Sequence, residues 1–178
     1  MVIIRTERAE DREAIRSVTA AAFRGVEHHA PSPEPGGDPG EAVLVGWLRD
    51  DAGWIPGLSL VAVEDGLVVG HVVATRASVG GRPVLGLGPL SVRPDRQGSG
   101  IGSALMHAVL GAAEARGESL VGLLGEPAYY SRFGFVPAAS AGVIGPDPSW
   151  GDYFQVRTLT TSDEHTGRIQ YAAPFDRL

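Results

Sequence analysis

The sequence predicts an α/β chain with a mixed sheet, an antiparallel meander joined to a βαβ unit. Two observations carry that reading. Three apolar stretches follow one another across the dipeptides Asp65-Gly66 and Gly80-Gly81, and such pairs favour two-residue hairpins. The last of these stretches, Val84 to Val92, leads through a glycine-rich loop and a helical period, Ile101 to Arg116, into another apolar run, Ser119 to Leu124. Strand, helix and strand at this spacing imply that the two strands run parallel.

Each element has a local reason. Val2 to Arg5 is a short apolar start and reads as an edge strand. Ile15, Val18, Thr19, Ala22 and Phe23 recur on one face of a helix from about Glu10 to Phe23, the period of an amphipathic helix. Ala30 to Gly40 holds four prolines and three glycines and is a loop. Asp38-Pro39-Gly40-Glu41 then reads as a helix start, with Asp38 as N-cap, proline at N1 and Glu41 at N3. Leu44, Trp47 and Leu48 form the buried stripe of that helix. Leu58 to Val63, Leu67 to Val79 and Val84 to Val92 are the meander strands; Pro89 lacks a ladder donor and marks a bulge or a splayed edge. The third helix presents Ile101, Ala104, Leu105, Ala108, Val109, Ala112 and Ala113 on one face, and Gly117 closes it as a C′ residue. Beyond Pro137 a Gly/Pro-rich loop runs to about Gly151, and strands near Tyr153–Leu159 and Arg168–Ala172 end the chain.

Composition narrows the function classes. The chain has 178 residues, read as one domain spanning 1–178, a size that buries roughly 70% of its unfolded surface. Cysteine is absent, which removes disulfides, thiolate nucleophiles and cysteine metal sites. The start, Met1 to Thr6, has too short an apolar run for a signal peptide, and no apolar run reaches the ~18 residues of a membrane span. A cytoplasmic location and no membrane partner are the expectation. The net charge of −6 and the lack of any arginine cluster argue against nucleic acid. All fifteen basic residues are arginine.

The loop Gln97-Gly98-Ser99-Gly100-Ile101-Gly102 sits between strand and helix. Glycine permits positive φ and close approach of a ligand, and the first helical turn leaves backbone N–H groups without partners. Together with the helix dipole they suit a phosphate. A Walker loop is excluded, because it needs a lysine. A dinucleotide fingerprint started at Gly98 puts Ser103 at its third glycine, and one started at Gly86 puts Ser91 there. What fits is Gln-x-x-Gly-x-Gly, met by Gln97, Gly100 and Gly102. Downstream, Tyr130 stands four residues before Gly134-Phe135 within Tyr-Tyr-Ser-Arg-Phe-Gly-Phe, and Gly86-Leu87-Gly88-Pro89-Leu90-Ser91-Val92 lies on the strand before the loop.

With these motifs in this order, the chain resembles the Gcn5-related N-acetyltransferase (GNAT) superfamily, and within it the subgroup carrying GPLxV and YYxRFGF. The likeness covers roughly Ile3 to Phe135. It implies an acyl-CoA N-acyltransferase fold with a splayed strand pair, acetyl-CoA as co-substrate, and acetyl transfer to an amine. By resemblance, the loop amides of Gly98, Ser99, Gly100, Ile101, Gly102 and Ser103, after Gln97, hold the pyrophosphate. The backbone of Leu90, Ser91 and Val92 holds the pantetheine arm and the oxyanion. Arg93 and Arg96 flank the loop as candidate cations, and Tyr130 is the candidate general acid toward the departing sulfur. A lysine-like amine is only ~0.04% neutral at pH 7, a penalty of roughly 4.6 kcal/mol, so a base is wanted. Glu126, just past the strand that follows the helix, is the candidate; Glu27, His28, His29 and His71 are also considered. Two adjacent histidines point apart and no third ligand is evident, so no metal site is expected. The acceptor is a small-molecule or peptide amine, with a homodimer as a prior only. The rival readings are a non-catalytic acyl-CoA-binding or sensor domain and a dinucleotide oxidoreductase.

Overall fold

The computed structural model describes residues 1–160 and 164–178. β1 (Val2–Thr6) leads through a 3₁₀ turn to α1 (Arg12–Phe23), and α2 (Gly40–Arg49) follows the long loop. The meander is β2 (Ser59–Glu64), β3 (Leu67–Val79) and β4 (Arg82–Val92). Then come α3 (Ile101–Ala115), β5 (Leu120–Leu124), the short α4 (Pro127–Tyr130), β6 (Val136–Pro137), β7 (Val143–Ile144), β8 (Phe154–Thr158) and β9 (Gly167–Gln170). The strand order is β1-β2-β3-β4-β5-β8-β6, with β9 pairing the end of β3 and also β7. β1, the expected edge strand, lies at the edge. Asp65 and Gly66 turn with φ of 50° and 80°, Gly80 and Gly81 with 56° and 78°, the positive pairs that a two-residue hairpin requires.

The two faces of the sheet are covered differently. On one face Leu60, Ala62, Val72, Ala74, Leu85, Leu87, Val121 and Leu123 join α3 in one core cluster. On the other, α1 and α2 cover Val61 and Val73 through Ile15, Val45, Leu44 and Leu48. β4 and β5 run parallel as expected, but they pair only at Leu85↔Val121 and Gly86↔Gly122. Beyond Gly86 the strands part. The β3–β4 register shifts opposite Gly88-Pro89, where the sequence places a bulge.

Three expectations need correction. The Asp38 capping box does not form: Pro39 is the N-cap residue and makes no side-chain cap bond. Asp38 instead accepts from Arg16 Nε at 2.9 Å and Arg24 at 3.3 Å, and Glu41 accepts the Ala30 N–H at 2.6 Å. The loop is thereby tied to α1 and α2. On α3 the buried set includes Met106 and Leu110, while Ala104 is exposed. Large side chains gain more from burial than alanine, at ~25 cal/mol per Å², so they rotate the helix toward themselves. The Gly/Pro-rich segment after Pro137 contributes the short strand β7 (Val143–Ile144).

A charged network lies inside the sheet-helix layer. Arg49 Nε donates to Glu7 Oε1 at 2.5 Å, Ser59 Oγ donates to Glu7 Oε2 at 2.5 Å, and His71 Nε2 lies 2.9 Å from Ser59 Oγ. His71 and Ser59 are fully buried. Burial pushes the Glu7 carboxyl up, yet the hydrogen bonds from His71, Arg49 and Ser59 outweigh it and bring it to about 2. For His71 burial dominates and lowers the pKa, against the pull of Glu7. The imidazole is therefore neutral in the fold, with Nε2–H donating to Ser59. Both pKa values are depressed, so both groups stabilise the fold above their unfolded values and lose that contribution as pH falls. His71 should cost up to ~1.4 kcal/mol per pH unit below ~6.5, until its folded pKa is reached. Urea unfolding from pH 7.5 to 5 should show this slope, and His71→Gln should flatten it; an unchanged slope would contradict the buried neutral assignment.

Candidate active site

The phosphate-type loop is built from its own side chains. Gly98 and Gly100 have φ of 75° and 89°, conformations that only glycine adopts without strain. Gln97 Nε2 donates to Val92 O at 3.1 Å and Ser99 Oγ to Arg96 O at 2.5 Å. Gln97 thus ties the loop to the end of β4, and Ser99 ties it to the 3₁₀ turn at Pro94–Arg96. The first intrahelical bond runs from Ala104 N to Gly100 O. The amides of Ile101, Gly102 and Ser103 therefore have no intrahelical acceptor. Ile101 buries its side chain in the core and offers only this amide.

Gly102 and Ser103 line a cleft of about 460 Å³. Leu90 and Val92 line it from β4, Phe23 and Val26 from the end of α1, and Tyr129 and Arg132 from the far side. Ser91 turns its hydroxyl away, to Thr19 Oγ1 at 3.0 Å, on the α1 face. A smaller hollow of about 290 Å³ between Arg82 and His165 lies at the opposite end of β4; there Ser119 meets His165 at 2.8 Å and Glu118 pairs with Arg76.

The tyrosines divide the work. A Cβ on Gly102 would meet the Tyr129 hydroxyl at 2.7 Å, so this glycine makes room for Tyr129, which forms the wall of the cleft. Tyr130 lies with its ring against the backbone of Gly125, where no side chain would fit. It makes an edge contact with Tyr129 at 4.9 Å and with Phe135 at 6.0 Å. Burial, with a smaller effect from Tyr129, raises its pKa above the ordinary phenol range. The hydroxyl therefore keeps its proton at physiological pH.

Of the flanking arginines, Arg96 lines the cleft and Arg93 does not. Arg93 grips Asp95 at 2.6 and 3.0 Å, and Arg96 pairs with Glu64 at 2.6 Å. A second cation on the cleft wall is Arg132, which sequence reasoning missed. Its guanidinium lies 4.4 Å from the Tyr129 ring centroid and Nε donates to Tyr129 O at 3.1 Å. No carboxylate among the described residues is recorded as its ion-pair partner. Its i, i+3 spacing from Tyr129 is the signal that would have found it. Glu126 is exposed and its Oε1 accepts the Ala128 N–H at 3.4 Å, the N-cap of α4. His28 and Glu27 are exposed, and His29 Nδ1 lies 2.8 Å from Ala30 O. His71 belongs to the buried network above. Among the described residues no group of three or more His, Asp or Glu is placed to hold a metal ion, and no helix is long and apolar enough to cross a membrane.

Residues 56–137 match the family model described as the acetyltransferase (GNAT) domain. The uncharacterized N-acetyltransferase YjhQ of Escherichia coli K12 is 36% identical over 143 residues, covering 75% of this chain and 79% of that protein. A GNAT family acetyltransferase from Brucella melitensis, solved in complex with acetyl-CoA, is 37% identical with a TM-score of 0.79 over 99% of both chains. YhbS from Escherichia coli, solved in complex with CoA, is 31% identical with a TM-score of 0.82, covering 99% of this chain and 93% of that one.

Two glycines, Gly100 at the start of α3 and Gly111 within it, should respond oppositely to alanine. Gly100→Ala should lower the unfolding free energy by ~1–2 kcal/mol, because its φ is left-handed. Gly111, exposed within α3 with open space at its Cβ position, should raise it on Gly111→Ala by ~0.5–1 kcal/mol. Chemical denaturation of both variants checks the contrast.

Proposed function

The chain belongs to the GNAT acetyltransferase family, and from that premise we propose that it moves an acetyl group from acetyl-CoA to an amine by direct attack, with its pyrophosphate on the loop at residues 98–103. One observation carries the reading: Gly102 and Ser103, whose amides have no intrahelical acceptor, line the same cleft as Leu90 and Val92 on the free edge of β4. Beyond Gly86 that edge has no β5 partner, so its N–H and C=O groups are open to an extended amide-bearing arm. The residues present suit acetyl-CoA: glycines with positive φ, donors for phosphate, an apolar wall from Leu90 and Val92, and Arg132 as cation.

The chemistry asks little more of the chain. A neutral amine attacks the thioester carbonyl; the C–N bond forms, the C–S bond breaks and the amine gives up a proton. Backbone N–H groups near Leu90 to Val92 stabilise the oxyanion that develops. Tyr130 supplies a hydrogen bond and then its proton to the departing sulfur, and regains one from solvent. Its raised pKa makes it a weak acid in isolation, so transfer must accompany the growth of negative charge on sulfur. Glu126 can take the amine's proton only by leaving its cap. Glu126→Gln preserves the cap acceptor and isolates that role.

Free thiol release from acetyl-CoA with a panel of amines tests the function; no release, with no heat of CoA binding in calorimetry, would sink it. Tyr130→Phe should lower kcat by about 10²–10⁴-fold with KM for acetyl-CoA little changed. Arg132→Gln should do the reverse, raising that KM by about tenfold, as expected for loss of one charge-assisted contact of ~1.5–3 kcal/mol. Steady-state kinetics of the two variants separates the roles.

A further inference from the structure

Alternation along the strands sorts the gap between β4 and β5 into two faces. Leu85, Leu87, Val121 and Leu123 point to the α3 side; Tyr130, against Gly125, stands on that same side. Gly86 and Gly122 open toward the other face, where Ile169 and Phe154 crowd Gly122. There the ring of Tyr171 packs against Gly86, in the space a side chain would need. Gly86 is the last β4 residue paired with β5. The apex of the gap thus has a tyrosine on each face, Tyr130 on one and Tyr171 on the other.

The surroundings of Tyr171 are aromatic. Phe154 lies 6.4 Å from its ring and Phe175 4.8 Å, and Trp150 continues the row 6.1 Å from Phe154. Leu124, the next residue on that face after Gly122, is 47% exposed at the mouth of the gap. Thr75, the cross-strand partner of Gly86, places a buried hydroxyl on this face with no hydrogen-bond partner.

We infer that Tyr171 selects the acceptor: with Leu124 it forms an apolar, aromatic wall at the apex of the gap, favouring amines whose neighbouring carbons are apolar or aromatic. This rests on the acetyl-transfer reading above. The α3 face is taken by Tyr130, so the acceptor meets the carbonyl from the Tyr171 face. An alkyl or aryl group beside the nitrogen gains by burial against the ring, whereas a polar chain finds no partner on that face beyond the single Thr75 hydroxyl. Acceptors rich in hydroxyl or ammonium groups close to the reacting nitrogen are disfavoured.

The test compares 2-phenylethylamine with 2-methoxyethylamine by thiol release, in the full chain with saturating acetyl-CoA. The wild type should prefer the aryl amine by about tenfold or more in kcat/KM, within the span of a small apolar contact. Tyr171→Phe should keep the preference, and Tyr171→Ala should erase most of it, with KM for acetyl-CoA unchanged. If Tyr171→Ala does not fold, exposed Leu124→Asp takes its place and should erode the same ratio. An unaltered ratio in the folded variant, or a wild-type preference for the ether amine, overturns the inference while acetyl transfer stands. Failure of CoA itself to bind would instead bring down the reading beneath it.

Discussion

The pairing of β4 with β5 stops after Gly86, and this early separation governs most of the site. A parallel pair inside a sheet would normally continue until one strand ends, because unpaired backbone groups are costly once buried. Here Gly88 and Pro89 lie opposite a shift in the β3 register, and Pro89 has no N–H to give. The free edge that results is a hydrogen-bonding surface with a fixed direction. It points past Leu90 and Val92 toward the loop and α3, so a ligand that pairs with it is aligned with the donors at residues 101–103.

Around that edge, each residue type has a separate task. Gly98 and Gly100 supply backbone conformation, whereas Gly102 supplies space for Tyr129. Gln97 and Ser99 hold the loop's shape through their side chains. Tyr130 is neutral and held against Gly125; Arg132 is positioned by stacking on Tyr129. Since the chain has no lysine and the cations lining the cleft, Arg96 and Arg132, are arginines, their charge stays fixed across any pH at which the fold survives. Variation of rate with pH therefore reports on the amine and on the group that deprotonates it.

Much of this was legible because it is local. Asp65-Gly66 and Gly80-Gly81 turn the chain where their own torsions demand it, and the glycine loop announces itself between a strand and a helix. What escaped was set by distant partners. Asp38 looks like a cap, but Arg16 and Arg24 compete for its carboxylate from 22 and 14 residues away. The alanine-rich stripe of α3 misjudged its face, because Met106 and Leu110 weigh more than Ala104 or Ala108. Arg132 is an exposed arginine with no mark of its own in composition. Tyr171 meets Gly86 only through the complete fold, and no spacing rule connects them.

The chain of contacts from Arg49 through Glu7 and Ser59 to His71 ties α2, the end of β1, β2 and β3 together. An outermost strand ordinarily frays, exchanging its amides with solvent well before the molecule as a whole opens. Here peeling β1 away would drag an ionised carboxylate off its guanidinium and leave a buried cation behind, a loss of several kcal/mol. The border of the sheet is accordingly locked into the same cooperative unit as its centre, and its hydrogen exchange should be as slow as that of the strands that line the gap.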